Sequence, residues 1–240
     1  MNYLRSLAFA SGSIAAAFAS PAYSAEVQYT AELYALGADV DISGEGFSET
    51  AEFGDILDNL EMGFFGSFSA KGDKFGVIGN LLYVDVENTK SKENPNISAS
   101  IKAEISTLVL TAAAGWEFYE STSAEINGVL GVRWLDLNSD IDFALSSIGE
   151  ASNHADEDIW DGVIGIQGRN NLSEKWYISY YADIGTGDSD FTWQATASLG
   201  YQFSKLVVVL GYQYLEWDLK DTLVDELTVS GPALGLRFSW

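Results

Sequence analysis

The sequence predicts an all-β fold: a single closed antiparallel transmembrane β-barrel of about ten strands. Three observations predict it. First, the chain ends on Trp240, and stepping back by twos gives Phe238, Leu236 and Leu234, all apolar. The residues between them, Ser239, Arg237, Gly235 and Ala233, are small or polar. Side chains alternate faces along a strand, so one face of this segment is lipid-like and the other is not. Second, apolar residues make up 47% of the chain, yet after the N-terminal stretch the longest apolar run is only 206–210. A membrane helix needs about 20 such residues, whereas a transmembrane barrel alternates lipid-facing with lumen-facing residues. Third, short and long connections alternate along the chain, as they do when tight turns lie at one end of a barrel and loops at the other.

The N-terminus reads as a secretory signal. A short basic start, Met1 to Arg5, precedes an apolar, Ala-rich stretch at 7–18. Ala22 and Ser24 then offer the small residues that a signal peptidase reads. Cleavage is expected after Ser24 or Ala25, so 1–24 is the signal peptide and 25–240 is one barrel domain. The chain has no Cys, which excludes disulfides, thiolate zinc sites, thiol catalysis and lipoprotein anchoring. The net charge is −23, from 35 acidic and 12 basic residues. That imbalance excludes nucleic acid as a partner, because a phosphate backbone needs a basic surface.

In chain order the expected strands are 27–40, 62–71, 75–87, 104–119, 124–137, 159–170, 176–185, 191–203, 206–219 and 229–240. Each is close to or longer than the roughly 9–11 residues that a tilted strand needs to cross a bilayer. The links at 72–74, 121–123, 172–175 and 204–205 are tiny. Those at 43–61, 88–100 and 139–158 are long and polar; 186–190 and 220–226 are shorter but acidic. Short periplasmic turns and longer external loops put both termini on the periplasmic side. The strand number must then be even, and eight or twelve would satisfy this as well as ten.

The strand at 191–203 shows the alternation most cleanly. Phe191, Trp193, Ala195, Ala197, Leu199, Tyr201 and Phe203 share one face; Thr192, Gln194, Thr196, Ser198, Gly200 and Gln202 share the other. Aromatics sit at both ends of the first row, as in a membrane-interface girdle. Trp116, Phe118, Trp134, Trp160, Trp176, Tyr212 and Tyr214 repeat the pattern elsewhere. The strand at 75–86 has apolar residues on both faces and leaves its outward face open. Val229 and Leu227 have the wrong parity for Phe238 and Trp240, so a bulge or register change is expected near Gly231 and Pro232.

Parity also nominates the lumen. A charge network of Glu32, Lys71, Glu117, Arg133, Asp161, Arg169, Asp183 and Arg237 lies opposite the apolar rows, with Gln194, Gln202 and Gln213. Four acids balance four bases. Inward placement avoids the roughly 2–4 kcal/mol cost of an Arg or Lys facing lipid at mid-depth. An eight-stranded barrel has an interior that side chains just fill. Ten strands add little room, so a narrow or occluded polar lumen is expected.

Candidate sites are few. Asp183, Asp188 and Asp190 on a Gly-rich turn are a candidate for a hard cation such as calcium, although a solvated turn explains them as well. The acidic first loop (Glu45, Glu49, Glu52, Asp55, Asp58, Glu61) could share divalent cations with lipopolysaccharide phosphates, and 53–60 could form a short helix. His154 is the only histidine. Beside Ser152, Asp156 and Asp158 it is compatible with a rim hydrolase in composition only. No catalytic residue and no cofactor is assigned.

The ending 230–238, together with 57–68 leading to Gly72-Asp-Lys-Phe-Gly-Val77 and with Asp183-Ile-Gly-Thr-Gly-Asp188, resembles a group of proteobacterial outer-membrane proteins. That resemblance implies a Gram-negative outer-membrane barrel in the cell envelope and brings no reaction. It implies outer-membrane lipid and lipopolysaccharide as surroundings and the barrel-assembly machinery as partner, through Leu234, Leu236, Phe238 and Trp240. The expected function is structural or surface interaction around an occluded lumen. A narrow channel for small solutes is the alternative, and an omptin-like rim hydrolase follows it.

Overall fold

The computed structural model describes residues 27–37, 39–44, 47–51, 63–94, 97–145, 149–204, 206–219 and 225–240. The expected signal peptide and the expected short helix at 53–60 lie outside them. The described residues form twelve strands: β1 (Gln28–Leu36), β2 (Asp39–Gly44), β3 (Phe47–Ala51), β4 (Gly63–Lys71), β5 (Phe75–Asn94) and β6 (Ile97–Glu120), then β7 (Ala124–Leu145), β8 (Gly149–Asn171), β9 (Trp176–Gly187), β10 (Phe191–Phe203), β11 (Leu206–Asp218) and β12 (Glu226–Ser239).

Ten of these strands, β1 and β4 to β12, form a closed antiparallel wall, each paired with its sequence neighbour, and β12 returns to β1. The seam runs from Thr30 opposite Ser239 to Leu36 opposite Ala233. Beyond it, Tyr29 and Trp240 exchange two backbone hydrogen bonds of 3.0 Å. Closure is what makes the fold viable in lipid, because no sheet edge is left with unpaired N–H and C=O groups. β2 continues along β12 past β1, and β3 folds back on β2.

The wall is uneven in height. β9 and β10 have 12 and 13 residues, but β5, β6, β7 and β8 have 20, 24, 22 and 23. Within the stretches 88–100 and 139–158, expected as loops, residues 88–94, 97–100, 139–145 and 149–158 are instead paired strands. Asn94 meets Ile97, and Leu145 meets Gly149. Polar residues do not stop a strand whose neighbours supply a continuous ladder, since strand preference depends on context. The extra ten or so residues, at about 3.3 Å each, carry this four-stranded part roughly 30 Å further along the strand direction.

The register in β12 also corrects the sequence expectation. Its ladder with β11 runs unbroken from Val207 opposite Arg237 to Asp218 opposite Glu226. No bulge shifts Val229 and Leu227. They keep the inward parity of Arg237 and are fully buried in the lumen. β5 is resolved in the same way: Ile78, Leu82 and Val84 point inward, while Phe75, Val77 and Tyr83 are exposed. The one irregularity among the paired wall strands is in β6, between Glu117 and Tyr119.

Outside, the rows match a bilayer. Ile178, Leu199, Leu210 and Leu234 lie directly opposite one another on four successive strands, and all are exposed. Toward the short-turn end the exposed residues are aromatic: Phe75, Phe118, Trp176, Phe203 and Trp240. Toward the other end Trp134 stacks on Trp160 at 6.0 Å and Trp193 on Tyr214 at 4.6 Å. Two aromatic belts with an aliphatic band between them fit headgroup, acyl-chain and headgroup levels.

Candidate functional site

The interior is layered, and neighbouring inward rows differ sharply in chemistry. One row, followed strand to strand through the pairing, is Arg237, Glu32, Ser67, Asn80, Thr111, Arg133 and Asp161. Every member is polar. The next inward row toward the long-hairpin end is Tyr34, Phe65, Leu82, Val109, Leu135 and Ile159. All six are buried, and they cluster with Leu137, Leu215, Trp217, Leu227 and Val229 from the rest of the wall. A polar interior therefore occupies the lower part of the lumen, and an apolar core closes the upper part.

Arg133 sits at the boundary, with 0% of its surface exposed. Its Nη2 reaches Asp183 Oδ1 and Oδ2 at 2.7 and 2.6 Å and Gln194 Oε1 at 2.8 Å. Nη1 donates to Thr192 Oγ1 at 3.0 Å, and Nε donates to Thr111 Oγ1 at 3.3 Å. Tyr181 adds a hydroxyl bond to Asp183 at 2.5 Å. One guanidinium thus ties β6, β7, β9 and β10 together through the lumen. An unpaired buried charge is very costly; a paired and fully hydrogen-bonded one is tolerated. The planar five-donor fork of Arg suits this hub.

Below it lies a vestibule of about 190 Å³, open toward the short-turn end and lined among others by Glu32, Lys71, Gln167, Arg169, Ser179 and Arg237. Lys71 Nζ bridges Glu117 and Glu125, each at 2.6 Å. At the seam Arg237 pairs with Glu32, which also accepts from the Tyr34 hydroxyl. Arg169 and Arg237 lie over the Tyr177 ring at 3.7 and 4.8 Å from its centroid. Tyr177 in turn lies against Gly200, where an added Cβ would come within 2.2 Å of the ring.

The turn after β9 has a structural role. Asp161 Oδ1 accepts from the Ser189 amide and hydroxyl at 3.1 and 2.8 Å. Asp188 Oδ2 accepts from the Trp160 amide at 3.0 Å. The turn is therefore pinned to β8, with Ser189 fully buried. Asp183 is held by Arg133 inside the barrel, so the candidate cation set of Asp183, Asp188 and Asp190 does not converge. Among the described residues no three His, Cys, Asp or Glu side chains come together as a metal site.

All eight charged residues singled out by parity point inward or line the vestibule mouth. Gln213 is buried beside them, whereas Gln202 is exposed at the short-turn end and donates to Ser204 O at 3.2 Å. Sequence reasoning missed Glu125, Thr111, Tyr177, Tyr181 and Ser189. Parity alone would have found the first four; Ser189 is in a turn, where parity has no meaning. The backbone places His154 in β8 opposite Asp140 of β7. Glu49 lies in β3 opposite Ile42, and the other five acids of the first loop lie outside the described residues.

No family profile matches the sequence, and no curated protein is similar to it. Solved structures are similar in fold. The outer-membrane protease OmpT of Escherichia coli matches with a TM-score of 0.52 at 6% identity, over 92% of this chain and 99% of that one. The translocator domain of the autotransporter NalP of Neisseria meningitidis matches with a TM-score of 0.50 at 14% identity, over 88% of each chain. A protease and a translocator share this barrel, so the fold fixes architecture and leaves activity to the site. The closed wall, the lipid-facing band and this fold together make the chain a transmembrane β-barrel with the architecture of these outer-membrane proteins.

Proposed function

We propose that this barrel is a structural or surface-interaction protein whose lumen does not conduct. The observation that carries the reading is the stacking of two barriers across the interior. The Arg133 hub spans the lumen, and the apolar cluster of Leu82, Leu135, Leu215, Trp217 and Val229 fills the space above it. An open pore would need a continuous polar path, and a dry apolar constriction blocks ions by excluding water. The vestibule gives access from one side only.

The surface role rests on the tall hairpins β5–β6 and β7–β8. They project a paired four-stranded edge well past the aromatic belt. Such a platform is suited to contacts with lipopolysaccharide or an external partner. The last strand, with Leu234, Leu236, Phe238 and Trp240 on its lipid face, is the proposed handle for the barrel-assembly machinery. Hydrolysis at His154 forms no part of this proposal. Single-channel recording in planar bilayers tests the reading. Silence at high protein load supports it; steady open steps overturn it in favour of a narrow channel.

A further inference from the structure

The vestibule holds one cation too many. Its lining contains four basic residues, Lys71, Lys74, Arg169 and Arg237, against two acidic ones, Glu32 and Glu125. Glu117, bonded to Lys71, is nearby and brings the acids to three. This local surplus stands out in a chain of net charge −23. Lys71 and Arg237 are both engaged with carboxylates. Lys74 is in the exposed turn. Lys71 takes two of the three carboxylates and Arg237 the third, so inside the vestibule Arg169 is the cation without an ion pair of its own, although Glu125 lies opposite it in the β7–β8 ladder.

Arg169 is held in place without an ion pair of its own. Its guanidinium lies 3.7 Å from the centre of the Tyr177 ring, which fixes its plane. Its Nε donates to Asn171 Oδ1 at 3.3 Å. Among the described residues, the terminal nitrogens have no carboxylate within ion-pair distance. The neighbouring Arg237 is a like charge on the same ring. Such an arrangement is unfavourable on its own and becomes favourable when an anion arrives between the two charges. Ser179 and Ser198, bonded to each other at 2.7 Å, add hydroxyl groups to the same cavity.

From this geometry we infer a binding site for a small oxyanion, a carboxylate or a phosphate group, entering from the periplasmic side and held by Arg169. A guanidinium fork matches both groups with two parallel hydrogen bonds. A volume of about 190 Å³ exceeds the roughly 30 Å³ share of a single water several-fold, enough for such a group and part of its attached chain. The chemistry fits either the C-terminal carboxylate of a periplasmic peptide or a phosphate monoester.

The test is arginine Nε–Hε NMR on the full barrel refolded in micelles, titrated separately with acetate and with inorganic phosphate. Chloride at matched ionic strength is the baseline. A saturable shift of the Arg169 resonance is expected, with matching backbone amide shifts at Ser179 and Ser198 in the same cavity; those amide shifts are lost in Arg169→Gln and weakened at least tenfold in Arg169→Lys, which keeps the charge but loses the fork. Saturation by acetate alone points to a peptide carboxylate, by phosphate alone to a phosphate monoester, and by both to an unselective oxyanion site. A response no different from chloride would overturn the inference. So would a saturable response that survives unchanged in both variants while they still migrate as folded barrels on unboiled gels. Should Arg169→Gln fail to fold, the Lys variant decides alone.

Discussion

Arg133 and Asp161 face each other directly across the β7–β8 ladder, yet Arg133 gives its ion pair to Asp183, one strand further on. Asp161 turns away and takes the amide and hydroxyl of Ser189. The nearest opposite charge in the register is thus bypassed. The reason is geometric. A long side chain in a narrow barrel can cross the lumen, and at Asp183 it also meets Gln194, Thr192 and Tyr181. At Asp161 it would leave the β9–β10 turn without its anchor.

Breaking this hub is predicted to be expensive. Asp183→Ala leaves a fully buried guanidinium without its counter-ion, at about 3–5 kcal/mol. The double variant Arg133→Met with Asp183→Leu removes both charges and should be closer to the native barrel than Asp183→Ala alone. Reversible urea unfolding in lipid vesicles reads both. If Asp183→Ala costs no more than Lys71→Gln, at a pair that is partly exposed at the vestibule mouth, then the hub contributes no more than a surface pair.

Asp161→Ala should release the turn it pins. The Ser189 amide and hydroxyl would then lose the buried acceptor they share, at a cost of about 1–3 kcal/mol. Limited proteolysis from outside the vesicle is expected to cut within 186–190 faster than in the native protein. Unchanged cutting would mean that Asp188 and its bond to Trp160 hold the turn unaided.

Two glycines of the wall should behave oppositely. A Cβ on Gly165 would come within 2.1 Å of the Ala182 carbonyl oxygen, whereas one on Gly79 meets nothing within 4 Å. Gly165→Ala forces a backbone shift and should cost about 1–3 kcal/mol. Gly79→Ala should stay within about 0.5 kcal/mol of the native barrel. Equal midpoints in urea for the two variants would show that the wall is looser than described.

On the lipid face, Leu210→Arg should cost about 2–4 kcal/mol in vesicles, since Leu210 sits in the mid-depth row between Leu199 and Leu234. A cost near zero would place that row at the interface instead.

Much of the fold was legible because a barrel repeats one local rule. Alternation in 191–203 and 229–240, and turns as short as Ser204, specify faces and neighbours without long-range information. The charged residues of the lumen were legible for the same reason. Two things were not. The hairpin of 88–94 with 97–103 has a polar sequence that looks like loop, and the neighbour that continues its ladder, 141–145 of β7, lies much further along the chain. The apolar upper storey was hidden by an assumption that grease faces lipid. Val229, Leu227, Leu82 and Leu135 violate it, because an interior this narrow is itself a core. Which charges pair was also out of reach: register puts Arg133 opposite Asp161, and only the crossing of the lumen selects Asp183.

The layered interior is tested most directly with single cysteines, which the Cys-free chain allows without background. Val229 and Leu234 lie five residues apart on β12 and face opposite ways, the first with 0% and the second with 59% of its surface exposed. A fluorophore at position 234 should be quenched by brominated acyl chains. A thiol at position 229 should resist both water-soluble maleimide and the lipid-borne quencher. Rapid maleimide labelling at 229 from the aqueous phase would show a wet, open lumen and contradict the closed barrel.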